Sequence, residues 1–259
     1  CALLDDHSVK CWGDNTYGRL GVGDTNNRGD GPGEMGDALP RIALGTGRTA
    51  KAVAAGGKHT CAILDDDTLK CWGMNEWGQL GRGTVGLATD AVGSSPAEMG
   101  DNLPVTDVGT GRHAVAMSLG YQTTCVLLDN SATKCWGQGS YGMLLSGADL
   151  PLGDNEAGDA IPVLNVGTGR PVRQISAGSF DTCALLDDDT VKCWGDAGQG
   201  ELARGNTQDL GDAPAEVGDG LPTIPLGTGR TARQIEVGNN SVCAVLDDGT
   251  VKCWGGNGF

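Results

Sequence analysis

The chain reads as an all-β repeat protein, and three observations carry that reading. The string Cys-Trp-Gly ends at Gly13, Gly73, Gly137, Gly195 and Gly255, with periods of 60, 64, 58 and 60 residues. Self-similarity at such a spacing marks an array of supersecondary units that cannot bury their faces alone. Glycine supplies 45 of 259 residues against ten prolines, which fits many turns joining short strands and lacks the three-residue period of collagen. Each Cys-Trp-Gly also closes a strand–turn–strand string, such as CAVLDDGTVKC at Cys243–Cys253.

The hairpin can be counted out from its turn. If Leu246 opposes Thr250, then Val245 faces Val251, Ala244 faces Lys252 and Cys243 faces Cys253. The loop left over is Asp247-Asp248-Gly249, a type I turn whose third residue takes the left-handed conformation of a bulge. The other copies place His7, Asp67, Ser131 and Asp189 there. His and Asp tolerate that conformation better than most residues, and Ser less well. One face of the hairpin carries Cys, Val, Val and Cys and the other Ala, Leu, Thr and Lys, so both are largely apolar. That suits strands held between neighbouring sheets.

The same count assigns the cysteines. The loop-closing pair is hydrogen-bonded, so alternation makes the Cys pair non-hydrogen-bonded, with Cα atoms about 4.5 Å apart and within reach of a disulfide. Zinc usually needs close-set pairs such as Cys-x2-Cys, and none of the three His stands at a ligand spacing. The Cys-x-x-Cys of a redox site is absent. The expectation is five structural disulfides: Cys1–Cys11, Cys61–Cys71, Cys125–Cys135, Cys183–Cys193 and Cys243–Cys253. Ten locally paired cysteines imply an oxidising compartment, extracellular, cell-surface or periplasmic.

A second marker, Gly-Thr-Gly-Arg, ends at Arg48, Arg112, Arg170 and Arg230, always 13 residues before the next Cys. From Cys-Trp-Gly to the second Gly of that marker the interval varies, 34, 38, 32 and 34 residues. All length variation thus falls in one segment, expected to be a surface loop tolerant of insertion.

The full unit, Gly57-Lys58-His59-Thr60-Cys61-Ala62-Ile63-Leu64 followed by Leu69-Lys70-Cys71-Trp72-Gly73-Met74-Asn75-Glu76-Trp77-Gly78-Gln79-Leu80-Gly81, resembles the repeat of the regulator of chromosome condensation family. Four complete copies and a partial fifth fill residues 1–259. The resemblance implies a single β-propeller domain with one four-stranded blade per repeat, here with a disulfide-stapled hairpin in each. Most members have seven blades, so the chain is expected to be incomplete. The family's Gly-x-x-His persists only at Gly56/Gly57 to His59; the matching positions read Tyr121-Gln122-Thr123, Ser179-Phe180-Asp181 and Asn239-Asn240-Ser241. The founding member is a nuclear GTPase exchange factor that binds chromatin, and no contact residues for either role are matched here. Secreted bacterial relatives that bind and inhibit β-lactamases are the nearer analogy.

Charge narrows the partners. With 18 basic and 33 acidic side chains and a net charge of −15, the chain lacks the clustered Lys and Arg of a nucleic-acid surface. No apolar run approaches the ~18–20 residues of a membrane span. The variable segments share spaced carboxylates, Glu34/Asp37, Glu98/Asp101, Glu156/Asp159 and Glu216/Asp219. Calcium is the ion such oxygens would suit; the alternative is a turn in which they accept backbone N–H groups or pair with the recurrent Arg. Trp12, Trp72, Trp136, Trp194 and Trp254 read as inter-blade packing, and Lys10, Lys70, Lys134, Lys192 and Lys252 as structural ion pairs or snorkelling stems. The Asp pairs at 5–6, 65–66, 187–188 and 247–248 fall at turn tips. Arg28-Gly29-Asp30 matches an integrin-binding tripeptide and Asn239-Asn240-Ser241 a glycosylation sequon. No catalytic set and no cofactor motif emerges. The expectation is a non-catalytic secreted or cell-surface propeller binding a protein through its variable loops. The alternatives are a self-assembling structural subunit of a fibre or array and a secreted enzyme inhibitor.

Overall fold

The computed structural model describes residues 1–84 and 90–257 and contains fifteen strands: β1 (Ala2–Leu3), β2 (Val9–Lys10), β3 (Ala50–Ala55), β4 (His59–Leu64), β5 (Leu69–Met74), β6 (Ala91–Val92), β7 (Ala114–Leu119), β8 (Thr123–Leu128), β9 (Thr133–Gly137), β10 (Val172–Ala177), β11 (Asp181–Leu186), β12 (Val191–Gly195), β13 (Ala232–Val237), β14 (Ser241–Leu246) and β15 (Val251–Gly255). Short 3-10 turns are the helices among the described residues. The strands form five antiparallel sheets in chain order, β1-β2, β3-β4-β5-β6, β7-β8-β9, β10-β11-β12 and β13-β14-β15. These are blades 1 to 5 of a β-propeller. The fourth strand is a two-residue element only in blade 2. In blades 1, 3 and 4 it shrinks to single bridges, Gly13–Arg28, Gly137–Leu152 and Gly195–Leu210.

The central hairpins take one register. Val245 opposes Val251, Ala244 opposes Lys252 and Cys243 opposes Cys253, and blades 2 to 4 repeat this pairing. Five disulfides join Cys1–Cys11, Cys61–Cys71, Cys125–Cys135, Cys183–Cys193 and Cys243–Cys253, with Cα separations of 4.0 to 4.1 Å. The bulge residues His7, Asp67, Ser131 and Asp189 sit at φ of 61, 65, 64 and 63°. Ser131 adopts the conformation too, held by the closed turn in which its N–H donates to Leu128 O at 2.9 Å.

The first strands of successive blades touch one another, β3 to β7, β7 to β10 and β10 to β13. Backbone and side chains stitch this inner ring: Gly57 N donates to Gly120 O, Tyr121 N to Gly178 O, and Ala177 N to Ser118 Oγ. One face of the array, the upper face, carries the β3–β4-type turns and the loops that follow Cys-Trp-Gly. The lower face carries the Asp-rich hairpin tips.

The variable segment divides in two. From Cys-Trp-Gly to the outer bridge the chain spans fifteen positions in three blades and nineteen in blade 2. The four additional residues fall between Gly73 and Val92, and residues 85–89 of that segment are outside those described. Blade 3 is shorter by two residues between Leu152 and Glu156.

Candidate functional site

Nearly every regularly repeated residue is consumed by blade-to-blade packing. Each Trp donates its indole N–H to a loop carbonyl of the preceding blade: Trp72 to Arg19 O at 3.1 Å, Trp136 to Gln79 O at 3.0 Å, Trp194 to Met143 O at 2.9 Å and Trp254 to Glu201 O at 2.7 Å. Trp12, in blade 1, is 45% exposed. The lysines turn to backbone carbonyls rather than to ion pairs, and Lys70, Lys134 and Lys192 are buried, whereas Lys10 is half-buried and Lys252 exposed. Lys70 Nζ donates to the carbonyls of Leu44 and Gly100, Lys192 to those of Val166 and Gly218, Lys134 to Gly158, Lys252 to Leu226 and Lys10 to Gly36. Burial lowers the Lys70 and Lys192 ammonium pKa values, and the carboxylates of Asp101 and Asp219 respectively oppose that shift.

Seven of the eight spaced carboxylates are likewise spoken for, the exception being exposed Asp37. Glu98 accepts the N–H groups of Gly93, Ser94 and Ser95, and Glu34 those of Gly29 and Gly31. Glu156 and Glu216 close the same turn through Gly153 N and Gly211 N. Asp101, Asp159 and Asp219 each bind the backbone N–H and hydroxyl of a Gly-Thr-Gly-Arg threonine in the preceding blade, Thr46, Thr110 and Thr168. Those hydrogen bonds hold the three carboxyl groups below their ordinary pKa. The marker arginines turn instead to the hairpin tips, Arg48 to Asp65 and Asp66, Arg112 to Asp129, Arg170 to Asp187 and Asp188, Arg230 to Asp247 and Asp248. Calcium thus finds these oxygens already engaged by protein donors. Arg28 of the Arg-Gly-Asp tripeptide bridges to Gly13 and pairs with Asp24, and Asn239 of the sequon accepts from Ser179 Oγ.

Much of what remains gathers on the upper face. The ends of the inner strands line a cleft of about 220 Å³, with Gly57, Tyr121, Ser179 and Asn239 from blades 2 to 5 at its rim. Beside it Tyr121 and Phe180 stand 6.3 Å apart, and Tyr141 meets Phe180 edge-on at 5.8 Å. Lys58 Nζ lies 5.1 Å from the Tyr121 ring centroid. Tyr121 is 40% and Tyr141 43% exposed, and Leu150 on the following loop is 64% exposed. Tyr141 sits at φ 61°, a strained conformation for a tyrosine, in the turn Ser140–Gly142. Gly142 at φ 72° lets that turn approach the next blade, where a Cβ would come within 2.5 Å of Asp212 N.

Two groups below this surface were not visible in the sequence as sites. His59 is buried and bonds Thr124 Oγ1 of the next blade at 2.7 Å; burial pulls its pKa down to about 3, so the ring is neutral. Asp181 occupies the same position in blade 4 but faces Val242 where blade 3 offers Thr124. Its Oδ2 has no partner, and burial, reinforced by Glu201 and Asp196, pushes its pKa up to about 8. Among the described residues no group of three or more His, Cys, Asp or Glu is arranged to hold a metal ion.

Models described as the regulator of chromosome condensation (RCC1) repeat match residues 6–63, 50–79, 172–201 and 232–259, together about half of the chain. The ultraviolet-B receptor UVR8 of Arabidopsis thaliana is 28% identical over 256 residues, covering 98% of this chain and 50% of its own length. The crystal structure of human WBSCR16 superimposes with a TM-score of 0.69 at 18% identity, over 96% of this chain and 58% of that one. Prp20p of Saccharomyces cerevisiae, a structure described with its binding to Gsp1p and histones, gives 0.63 at 19%, over 97% of this chain and 54% of that one. The chain thus spans about half the length of these relatives. Repeat matches and propeller geometry agree that this chain belongs to the regulator of chromosome condensation (RCC1) repeat family.

Proposed function

We propose that the chain is a non-catalytic, secreted or cell-surface propeller that binds a protein partner through its upper face. The observation that carries this reading is the aromatic cluster beside the axial cleft, in which exposed Tyr121 and Tyr141 both contact a half-buried Phe180. Aromatic anchors on a rigid scaffold are what protein interfaces concentrate their binding energy in, and the loops that follow Cys-Trp-Gly leave their strands on the same face. Prp20p, of the same fold, takes protein ligands. Five cystines favour an oxidising compartment, and a disulfide-bearing variant like the secreted bacterial members fits that setting.

The test is recovery of a partner from a native extracellular fraction on immobilised chain, repeated with Phe180→Ser. A specific protein held by the parent and lost by the variant supports the reading. A partner retained equally by both removes the upper face from it, and an empty parent column removes protein binding.

A further inference from the structure

Resting on that reading, the upper face of blades 3 and 4 also specifies the chemistry of its partner. Asp149, Asp196, Asp209 and Asp212 come together there from two loops. Asp209 feels the other three as like charges, and they add to the burial that raises its pKa. Each is tied to the loop that carries it, or to the aromatic cluster beside it. Asp149 accepts from Gly142 N, next to Tyr141; Asp196 N donates to Phe180 O; Asp209 accepts from Ala197 N; Asp212 packs on the Gly142 turn.

Among the described residues none of the four is in an ion pair, and the charges Asp209 feels are all carboxylates. Between Lys134 and Arg170 there is no basic residue, and Arg204 is the one basic side chain between Lys192 and Arg230. The ion pairs of blades 3 and 4 lie on the lower face, Arg112–Asp129, Arg170 with Asp187 and Asp188, and Arg173–Asp189. Among the aromatic rings here, Tyr121 already holds a cation in Lys58, whereas Tyr141 is 43% exposed and meets the half-buried Phe180 edge-on, with no cation on either ring among the described residues.

We propose that this surface docks a basic protein segment, whose Arg or Lys side chains lie on Tyr141 and Phe180 and are flanked by Asp149, Asp196, Asp209 and Asp212. Like-signed carboxylates held near one another by backbone bonds are relieved by an incoming cation, and a ring face adds a directional attraction. An acidic or neutral partner would leave the four carboxylates uncompensated.

The experiment is fluorescence anisotropy with a labelled peptide alternating Arg with Gly and Ser, against its Glu-for-Arg counterpart, at low and at physiological salt. The Arg peptide is expected to bind, more weakly as salt rises, and the Glu peptide not to bind. Phe180→Ser should weaken the Arg peptide about tenfold, as should the pair Asp196→Asn with Asp209→Asn, in which each amide oxygen can still accept its backbone N–H. Asp30→Asn with Glu236→Gln, both exposed and remote, should change it less than about twofold. No binding of the Arg peptide, equal loss in the remote pair, or preference for the Glu peptide would overturn the proposal. If the extract partner is still recovered and still lost with Phe180→Ser in that case, the basic chemistry fails while the protein-binding reading stands.

Discussion

Blade 3 and blade 5 carry the same hairpin in the same register, yet their surroundings differ. In blade 3 the indole of Trp136 is fully buried, β8 is buried at five of its six positions, and Cys135 is 3% exposed. In blade 5 β14 alternates between buried and half-buried positions, Trp254 is half-buried, Val251 is 61% exposed and Cys253 is exposed. Blade 4 makes the point within one position, since Val191, the counterpart of Val251, is fully buried. Apolar residues on both faces of a blade are written for two neighbours. Whether both faces are covered is settled by where the blade stands in the array.

The largest expected effect breaks that contrast at its centre. Trp136→Ala should destabilise by about 3–5 kcal/mol, because it removes a buried ring and leaves Gln79 O without its indole donor. Trp254→Ala should cost less, and Trp12→Ala under about 1 kcal/mol. Denaturant unfolding of the three variants checks the order, and equal losses would deny that the indole acts as a peg into a neighbouring blade.

The cystines sharpen it next. Cys125–Cys135 and Cys243–Cys253 close loops of equal length, so replacing either pair by Ser should cost a similar ~3 kcal/mol on the chain-entropy model. Their accessibility differs. Under limiting reductant, mass spectrometry of alkylated peptides should find Cys243–Cys253 opened first, the buried pair last.

A smaller effect concerns the junction between blades 4 and 5. With its pKa pushed up to about 8 from an ordinary 3.8, Asp181 keeps a proton in the folded chain that the unfolded chain releases. Stability from this residue therefore falls as pH rises from about 4 to about 8, then levels off. Asp101, Asp159 and Asp219, held low by their threonines, act in the opposite sense and lose their contribution on acidification. Asp181→Asn should raise stability at pH 9 by on the order of 1–3 kcal/mol and change little at pH 4. Unfolding midpoints at the two pH values decide it. A gain at pH 4 equal to that at pH 9 would show that the carboxylate's charge is not the cause.

Much of the hairpin could be read directly from residue order, because strand alternation and a turn of fixed length leave one register. Counting back from Asp247-Asp248-Gly249 placed Cys243 opposite Cys253, and the structure has that pairing. The acidic tips and the bulge positions followed from the same count. The partners of the repeated polar residues did not. Nothing in the spacing of Lys70 says that its ammonium reaches Leu44 O and Gly100 O, nor that Asp101 seeks Thr46 rather than an arginine. Those bonds cross between blades, over separations of 26 to 55 residues. The aromatic and acidic surface was hidden for a related reason. Tyr121 and Phe180 stand where the other repeats carry unlike residues, and Tyr141, which shares its position with Tyr17 and Trp77, meets Phe180 only across the junction of two blades.

The sequence alone determined the unit of this protein: a short, disulfide-joined hairpin, repeated five times, with its turn chemistry and its insertion-tolerant segment. These are local properties, fixed by alternation, by residues that accept left-handed backbone and by chain distance. Tertiary structure alone decided which of five near-identical tryptophans is buried, which carboxylate is left without a partner and which scattered rings meet. Each of those depends on what the neighbouring blade presents across the junction, and neighbours in space are not neighbours in the chain.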